Sequence, residues 1–186
     1  MPKKSLPTTP DVLIQIEYDG IIGYGEASMP PYLGETTESV QKFLSSVDLS
    51  QFNDPFRIEE ILQYVDGIAE NNRAAKASID LALHDVLGKI MGQPWHKIWG
   101  LSPEKAPVTS YTISTDTDEI LKQKIEETKP FKLVKLKMGI KETDKDLLNK
   151  FREQSDTQIC VDANQGWNTK EEALEMCELL ATQNCL

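Results

Sequence analysis

Two short apolar runs in the last third of the chain constrain its fold most strongly. Each alternates apolar and polar residues with a period of two, which predicts a strand with one buried face and one polar face. The polar face of the first run carries Lys135 and Lys137, and that of the second carries Asp162 and Asn164. Because a helical pattern lies between the runs, they form a βαβ unit and are expected to be parallel.

The carboxyl ends of parallel strands meet at one edge of a sheet, where α/β proteins place their chemistry. We therefore expect Lys135 and Lys137 to lie beside Asp162 and Asn164 at that edge. Two lysines next to an acid and an amide suit a metal ion and a general base. A Lys-x-Lys strand on its own is usually solvated, but the apolar flanks and the Asp-x-Asn strand that follows favour a site.

Composition narrows the class of protein. The 186 residues are 39% hydrophobic, enough for a packed core, and carry a net charge of -10 with a pI near 4.7. So acidic a chain lacks the basic surface that nucleic acids and anionic membranes attract. No apolar run approaches the roughly 20 residues that span a bilayer. The first ten residues also lack the apolar segment of a secretory signal.

The three cysteines, Cys160, Cys177 and Cys185, show no Cys-x-x-Cys spacing. Scattered thiols in an odd number are typical of a reducing compartment and of structural burial. We therefore expect a cytoplasmic protein that has no membrane or nucleic-acid partner.

Residues 1–105 are predicted to form an α+β domain. Val12–Glu17 and Ile21–Gly25 flank an Asp-Gly dipeptide, the typical signal of a β-hairpin. A loop rich in proline and glycine follows. Three amphipathic helices are expected next, at about 35–47, 56–70 and 72–91.

Residues 106–186 show a different rhythm, in which strands and helices alternate. Strands are expected at about 108–114, 131–138 and 157–164, and helices at about 118–128, 144–154 and 169–181. Three successive βα units predict a (β/α) barrel or a doubly wound sheet. Asn184–Leu186 has the pattern of an entry to a fourth strand. We therefore expect part of a larger protein, with an open sheet edge.

Four motifs give the chain a resemblance to a known family. They are GYGEA at 23–27, ASIDLALHDVLGK at 77–89, the Lys-x-Lys strand at 135–137 and VDANQGW at 161–167. On these motifs the chain resembles the enolase superfamily, in its muconate-lactonising branch. The resemblance implies an α+β capping domain followed by a (β/α)7β TIM-like barrel, of which about the first three βα units are present.

Two further segments, PPYLGET at 30–36 and TSYTI at 109–113, resemble the dipeptide epimerases of that branch. The resemblance implies a Mg2+-dependent isomerase that removes the α-proton of one residue of a dipeptide, its small-molecule partner. Muconate cycloisomerases, o-succinylbenzoate synthases and N-acylamino acid racemases share the catalytic pattern and stay open as alternatives.

The resemblance also implies roles for individual residues. Lys137 is expected to be the general base, and Lys135 its cationic neighbour, which can also touch the substrate carboxylate. Asp162 is expected to ligate Mg2+, with Asn164 supporting that ligand. The residues expected to contact the substrate are Thr112, Tyr32 and Leu33.

The same resemblance places a glutamate ligand, an aspartate ligand and a second catalytic lysine on later strands than those present here. A folded, inactive fragment is therefore the non-enzymatic alternative, and its open sheet edge favours a homo-oligomer. In the first domain, Gly25 and Glu26 are expected to shape the capping loop.

Overall fold

The computed structural model describes residues 10–30 and 33–186 of the chain. It contains two compact units, one within Ser5–Lys105 and the other within Ala106–Leu186. Each unit has its own hydrophobic core. No helix among the described residues is both long enough and apolar enough to cross a lipid bilayer.

The first unit consists of an antiparallel hairpin and helices. β1 (Asp11–Tyr18) and β2 (Ile21–Ser28) form the predicted hairpin. Asp19 and Gly20 connect them with φ angles of 48° and 79°, which is the two-residue turn that an Asp-Gly dipeptide favours. The helices that follow are α1 (Thr37–Leu44), α2 (Ile58–Ile68), α3 (Arg73–Met91) and the short α4 (Trp95–Ile98), before a 3-10 turn at Pro103–Lys105.

Glycines allow β2 to lie directly against the backbone of α3. A Cβ atom at Gly25 would lie 1.8 Å from the carbonyl oxygen of Ser78, and one at Gly23 would lie 2.2 Å from that of Ala82. Gly25 lies in β2, as the hairpin pattern predicts, but the strand continues through Glu26 to Ser28. The expectation that Gly25 and Glu26 shape the capping loop is therefore wrong. The GYGEA motif is a strand–helix packing motif.

The core of the first unit lies between the hairpin and the helices. Its large buried residues are Val40, Phe43, Ile61, Val65, Ile79 and Leu83. Glu35, just before α1, accepts hydrogen bonds from the backbone N–H of Ala74 at 3.1 and 3.3 Å. The N-cap residue Asn72 makes no capping bond with its own side chain, so this carboxylate, which is distant in the sequence, supplies the hydrogen bond at the start of α3.

The second unit alternates strands and helices. Its elements are β3 (Ser110–Ser114), α5 (Asp118–Glu127), β4 (Leu133–Lys137), α6 (Lys141–Arg152), β5 (Gln158–Asp162) and α7 (Lys170–Ala181). The strands are parallel and lie in the order β3-β4-β5. Thr169 begins α7, since its hydroxyl accepts a hydrogen bond from the N–H of Glu172 at 3.1 Å.

One face of this parallel sheet packs against helices. The buried residues of that core include Ile113, Val134, Leu136, Leu147, Phe151, Ile159 and Met176. Beyond β5, Cys185 forms an isolated parallel bridge with Ile159, at the position of the predicted fourth strand. A capping domain together with part of a parallel sheet is the fold that the sequence predicts, and the structure confirms it.

Candidate active site

The candidate site lies at the carboxyl ends of β4 and β5. Val134 and Leu136 are fully buried in the core, so strand alternation places Lys135 and Lys137 on the opposite face. β5 runs parallel beside β4, with Asp162 paired to Lys137. Because both strands end at this pair, their last residues bring a cation next to a carboxylate.

Both lysines share one carboxylate oxygen. The Nζ of Lys137 donates to Oδ2 of Asp162 at 2.7 Å, and the Nζ of Lys135 lies 3.1 Å from the same oxygen. The side chains of Lys137, Lys135 and Asp162 are 35%, 32% and 28% exposed. The cluster is therefore partly shielded by the sheet, yet a small molecule can reach it from solvent.

These contacts set the protonation state of Asp162. Hydrogen bonds from Lys137 first, and then from Lys135, lower the pKa of the Asp162 carboxyl from 3.8 to about 2. The backbone N–H of Asn164 donates to Oδ1 of Asp162 at 3.0 Å and acts in the same direction. Asp162 is consequently an anion at neutral pH, which is the state that a metal ligand requires.

Asn164 reaches the cluster through a turn. β5 ends at Asp162, and the φ angle of Asn164 is 46°, in the left-handed region that asparagine tolerates better than most residues. The side-chain oxygen of Asn164 accepts a hydrogen bond from the Nζ of Lys137 at 2.6 Å. The prediction that the strand continues to Asn164 is wrong, but the residue does lie beside Lys137.

β3 adds hydroxyl groups to the same face of the sheet. Thr112 pairs with Lys135 and Ser114 pairs with Lys137, while Ile113 between them is buried in the core. Ser114 is therefore level with Lys137, whereas Thr112 lies one pair of residues deeper. Ser114 was not among the predicted residues, because its level depends on how β3 and β4 pair.

The predicted substrate contacts of the first unit are placed only in part. Leu33 is 60% exposed and lines a cleft of that unit together with Glu35 and Asn72. Tyr32 lies outside the described residues. The expected contacts of Thr112, Leu33 and Tyr32 with a substrate stay predictions.

A buried carboxylate that was not predicted lies close to the site. Asp144 is only 1% exposed, and it accepts hydrogen bonds from the backbone N–H groups of Gly139 and Ile140 at 3.0 Å. Trp167 donates its indole N–H to the same carboxylate at 3.0 Å. In the sequence, Asp144 resembles the exposed acids that often begin a helix, and no local pattern reveals its burial.

The oxygen atoms at the site suit a hard divalent cation but supply only part of its ligands. Mg2+ prefers about six oxygen ligands in an octahedron. Asp162 offers a carboxylate, and Asn164 offers an amide oxygen. The part of the chain that the structure describes contains no group of three or more His, Cys, Asp or Glu side chains that could hold a metal ion. A cation at Asp162 would take its other ligands from elsewhere, including water and substrate.

Comparison with known proteins connects this geometry to a family. Residues 1–100 match the family model described as mandelate racemase / muconate lactonizing enzyme, N-terminal domain. The L-Ala-D/L-Glu epimerase of Bacteroides thetaiotaomicron is 51% identical over 177 residues, covering 95% of this chain and 46% of that protein. The N-succinyl-L-Arg/Lys racemase of Bacillus cereus is 32% identical over 187 residues, covering 94% of this chain and 50% of that protein.

A solved structure shows the same relationship. The dipeptide epimerase from Enterococcus faecalis V583 matches with a TM-score of 0.80 at 28% identity, covering 96% of this chain and 54% of that chain. Its complex with Mg and the dipeptide L-Leu-L-Tyr matches with a TM-score of 0.77, over 92% of this chain and 50% of that chain. The chain thus spans about half the length of the relatives that it matches.

Proposed function

Because this chain belongs to the mandelate racemase / muconate lactonizing enzyme family, we propose that it takes part in the epimerisation of dipeptides in the cytoplasm. The 51% identity with an L-Ala-D/L-Glu epimerase supports that reaction. The observation that carries the proposal is the 2.7 Å contact of Lys137 with Asp162 at the strand ends. It places a base beside a carboxylate that could hold a divalent cation, and α-proton removal next to a carboxylate uses both a base and such a cation.

Lys137 is the general base in this proposal. Its neutral amine takes the proton from the α-carbon, the C–H electron pair moves into the adjacent carbonyl group as an enolate, and Lys137 becomes an ammonium ion. That ammonium has acceptors in Asp162 at 2.7 Å and Asn164 at 2.6 Å, so the new positive charge is stabilised where it forms. A proton from solvent delivered to the opposite face of the α-carbon gives the epimer, and Lys137 releases its own proton to solvent.

Lys135 supports the base from one pair deeper in the sheet. Its contact of 3.1 Å with Asp162 keeps that carboxylate paired when Lys137 is neutral. When bound, Mg2+ would stabilise the negative charge of the enolate, and Asp162 and Asn164 are the residues that would hold or support it.

The proposal is tested by proton NMR of L-Ala-D-Glu and L-Ala-L-Glu in D2O, with Mg2+ and the 186-residue chain. We expect the α-proton signal to disappear as deuterium replaces it, and EDTA to stop the exchange. Lys137→Met should slow the exchange by about 100-fold or more, because it removes the base.

Lys150→Met is the matched control. Lys150 lies in α6 and pairs with the exposed Asp118 and Asp146, both at 2.7 Å. We expect this variant to exchange at the wild-type rate. If Lys137→Met exchanges as fast as the wild type, Lys137 is not the general base. If a folded wild-type sample shows no exchange, the result counts against the activity of this chain.

Racemisation of N-acylated amino acids is a second candidate reaction. The 32% identity with an N-succinyl-L-Arg/Lys racemase supports it, and it would use the same base, since it too removes a proton next to a carboxylate. The same NMR experiment with N-succinyl-L-Arg separates the two reactions. Faster exchange of the dipeptides supports epimerisation, and faster exchange of N-succinyl-L-Arg supports racemisation.

A further inference from the structure

The loops that follow β4 and β5 touch at two glycines. A Cβ atom at Gly139 would lie 2.4 Å from the carbonyl oxygen of Ala163, and one at Gly166 would lie 2.3 Å from the carbonyl oxygen of Gly139. Gly139 also has a φ angle of 116°, which other residues rarely adopt. The backbones of the two loops can approach this closely only because neither glycine carries a side chain.

Asp144 holds these two loops together. Its carboxylate accepts from Gly139 and Ile140 in the loop after β4, and from the indole N–H of Trp167 in the loop after β5, all at 3.0 Å. A carboxylate that is 1% exposed and accepts several N–H groups is a strong and geometrically defined link. Trp167 also packs against the hydrophobic core, so the link is anchored on both sides.

Each linked loop begins at a residue of the candidate site. Lys137 is two residues before Gly139, and Asn164 is two residues before Gly166. Between them, the backbone N–H of Met138 donates to the carbonyl oxygen of Asp162 at 3.1 Å. The distance from the Nζ of Lys137 to the oxygen of Asn164 therefore depends on how firmly the loops are joined.

We propose that Asp144 is a positioning residue, which fixes the distance between Lys137 and Asn164 by clamping the two loops. Its effect on the reaction rests on the proposed function, but its effect on geometry does not. The hydrogen bonds of Asp144 go to Gly139, Ile140 and Trp167 and not to Lys137 or Asn164, so it acts through those three residues.

Asp144→Asn tests the clamp, because an amide cannot accept from all of these N–H groups at once. In 1H–15N spectra of the 186-residue chain, we expect the Trp167 indole resonance to move upfield. We also expect the backbone resonances of Lys137 and Asn164 to move. If exchange activity is present, kcat should fall on the order of 10-fold or more while KM stays within about 2-fold, because the base is misplaced.

Thr128→Val is the control for a loss of stability alone. Thr128 is buried in the same unit, and its hydroxyl donates to the carbonyl oxygen of Ile125 at 2.7 Å, at the end of α5. We expect this variant to leave the resonances of Lys137, Asn164 and Trp167 unchanged. If the resonances of these residues also shift in Thr128→Val, the shifts in Asp144→Asn are due to general destabilisation, and the proposal is overturned.

Trp167→Phe is the second variant, in case Asp144→Asn does not fold. It removes one donor of the clamp and retains an aromatic ring in the core. The proposal requires shifts at Lys137 and Asn164, and it is overturned if the changes stop at Asp144, Gly139 and Ile140. A wild-type chain without exchange activity would count against the proposed function, while the spectra would still decide the role of Asp144.

Discussion

β2 of the first unit and β4 of the second unit use their two faces differently. The face of β2 toward α3 carries Gly23, Gly25 and the fully buried Ala27, so backbone meets backbone there. β4 buries large side chains on one face and keeps Lys135 and Lys137 partly exposed on the other. A strand face that carries only glycine and alanine can pack closely against a neighbouring backbone, whereas a polar, partly exposed face can contact a small molecule. Stability and activity should therefore be separable between the two strands.

The largest effect on stability is expected at Gly25, where β2 lies closest to the backbone of α3. Gly25→Ala places a Cβ atom 1.8 Å from the Ser78 carbonyl oxygen, so β2 or α3 must move. We expect the free energy of unfolding to fall by about 3 kcal/mol, at the upper end of typical overpacking effects. Urea unfolding followed by circular dichroism measures the change.

Gly67→Ala is the control for this substitution. Gly67 lies in α2, and a Cβ atom added there would have no neighbouring atom within 4 Å. Because alanine favours helix over glycine, we expect a gain of up to about 1 kcal/mol. If both variants lose the same free energy of unfolding, the close approach of Gly25 to α3 is not the cause of the loss in Gly25→Ala.

An intermediate effect is expected at β4, and it depends on pH. Asp162 has a pKa of about 2 in the folded chain against an ordinary value of 3.8, so its pairing stabilises the fold above pH 4 and is lost as the pH falls toward 2. Lys137→Met removes the largest cause of this lowered pKa. At pH 7 the free energy of unfolding of the wild type should exceed that of the variant by less than about 1 kcal/mol, because solvent screens the partly exposed pair.

That difference should shrink as the pH falls from about 4 to 2, where Asp162 becomes protonated in both proteins. Urea unfolding at a series of pH values between about 2 and 7 measures it. A difference that is constant over this range would mean that Lys137 stabilises the fold by packing and not by its charge.

The smallest effect is expected at Lys150, which lies in α6 and on neither of the two strands. Lys150 pairs with Asp118 of α5 and Asp146 of its own helix at 2.7 Å, and both carboxylates are exposed. Lys150→Met should lower the urea midpoint of unfolding by less than Lys137→Met does at neutral pH, and NaCl at about 1 M should remove most of that loss. A larger loss would show that the ion pairs of Lys150 contribute as much to stability as the contacts of Lys137. A loss that salt does not remove would show that Lys150 does not stabilise the fold through its charge.

Local patterns predicted much of the fold and most of the candidate site. The Asp19-Gly20 dipeptide marked the hairpin, and the alternation around Lys135 and Lys137 marked β4 and its polar face. Since parallel strands in adjacent positions bring their ends together, the neighbourhood of Asp162 followed from the βαβ pattern. Each of these features depends on residues that are close in the sequence or on a rule of connection.

What the sequence did not reveal depends on contacts between distant segments or on local backbone conformation. The contact of Gly25 with α3 was not predicted, because the helix that it touches lies about fifty residues away. Asp144 looked like an exposed helix acid because its indole partner Trp167 belongs to another loop. Asn164 looked like the next residue of a strand because its left-handed backbone leaves no mark in the alternation.

The way the strands are connected also bears on the order in which the chain assembles. β1 and β2 meet across the two residues Asp19 and Gly20, whereas each pair of parallel strands is joined through a helix of its own. Closing a longer segment costs more chain entropy before any contact forms, so contacts that are distant in sequence form more slowly. We therefore expect the hairpin to form within microseconds and Lys137 to meet Asp162 later. The edge that carries Lys137 and Asp162 is then expected to take shape after the hairpin of the first unit.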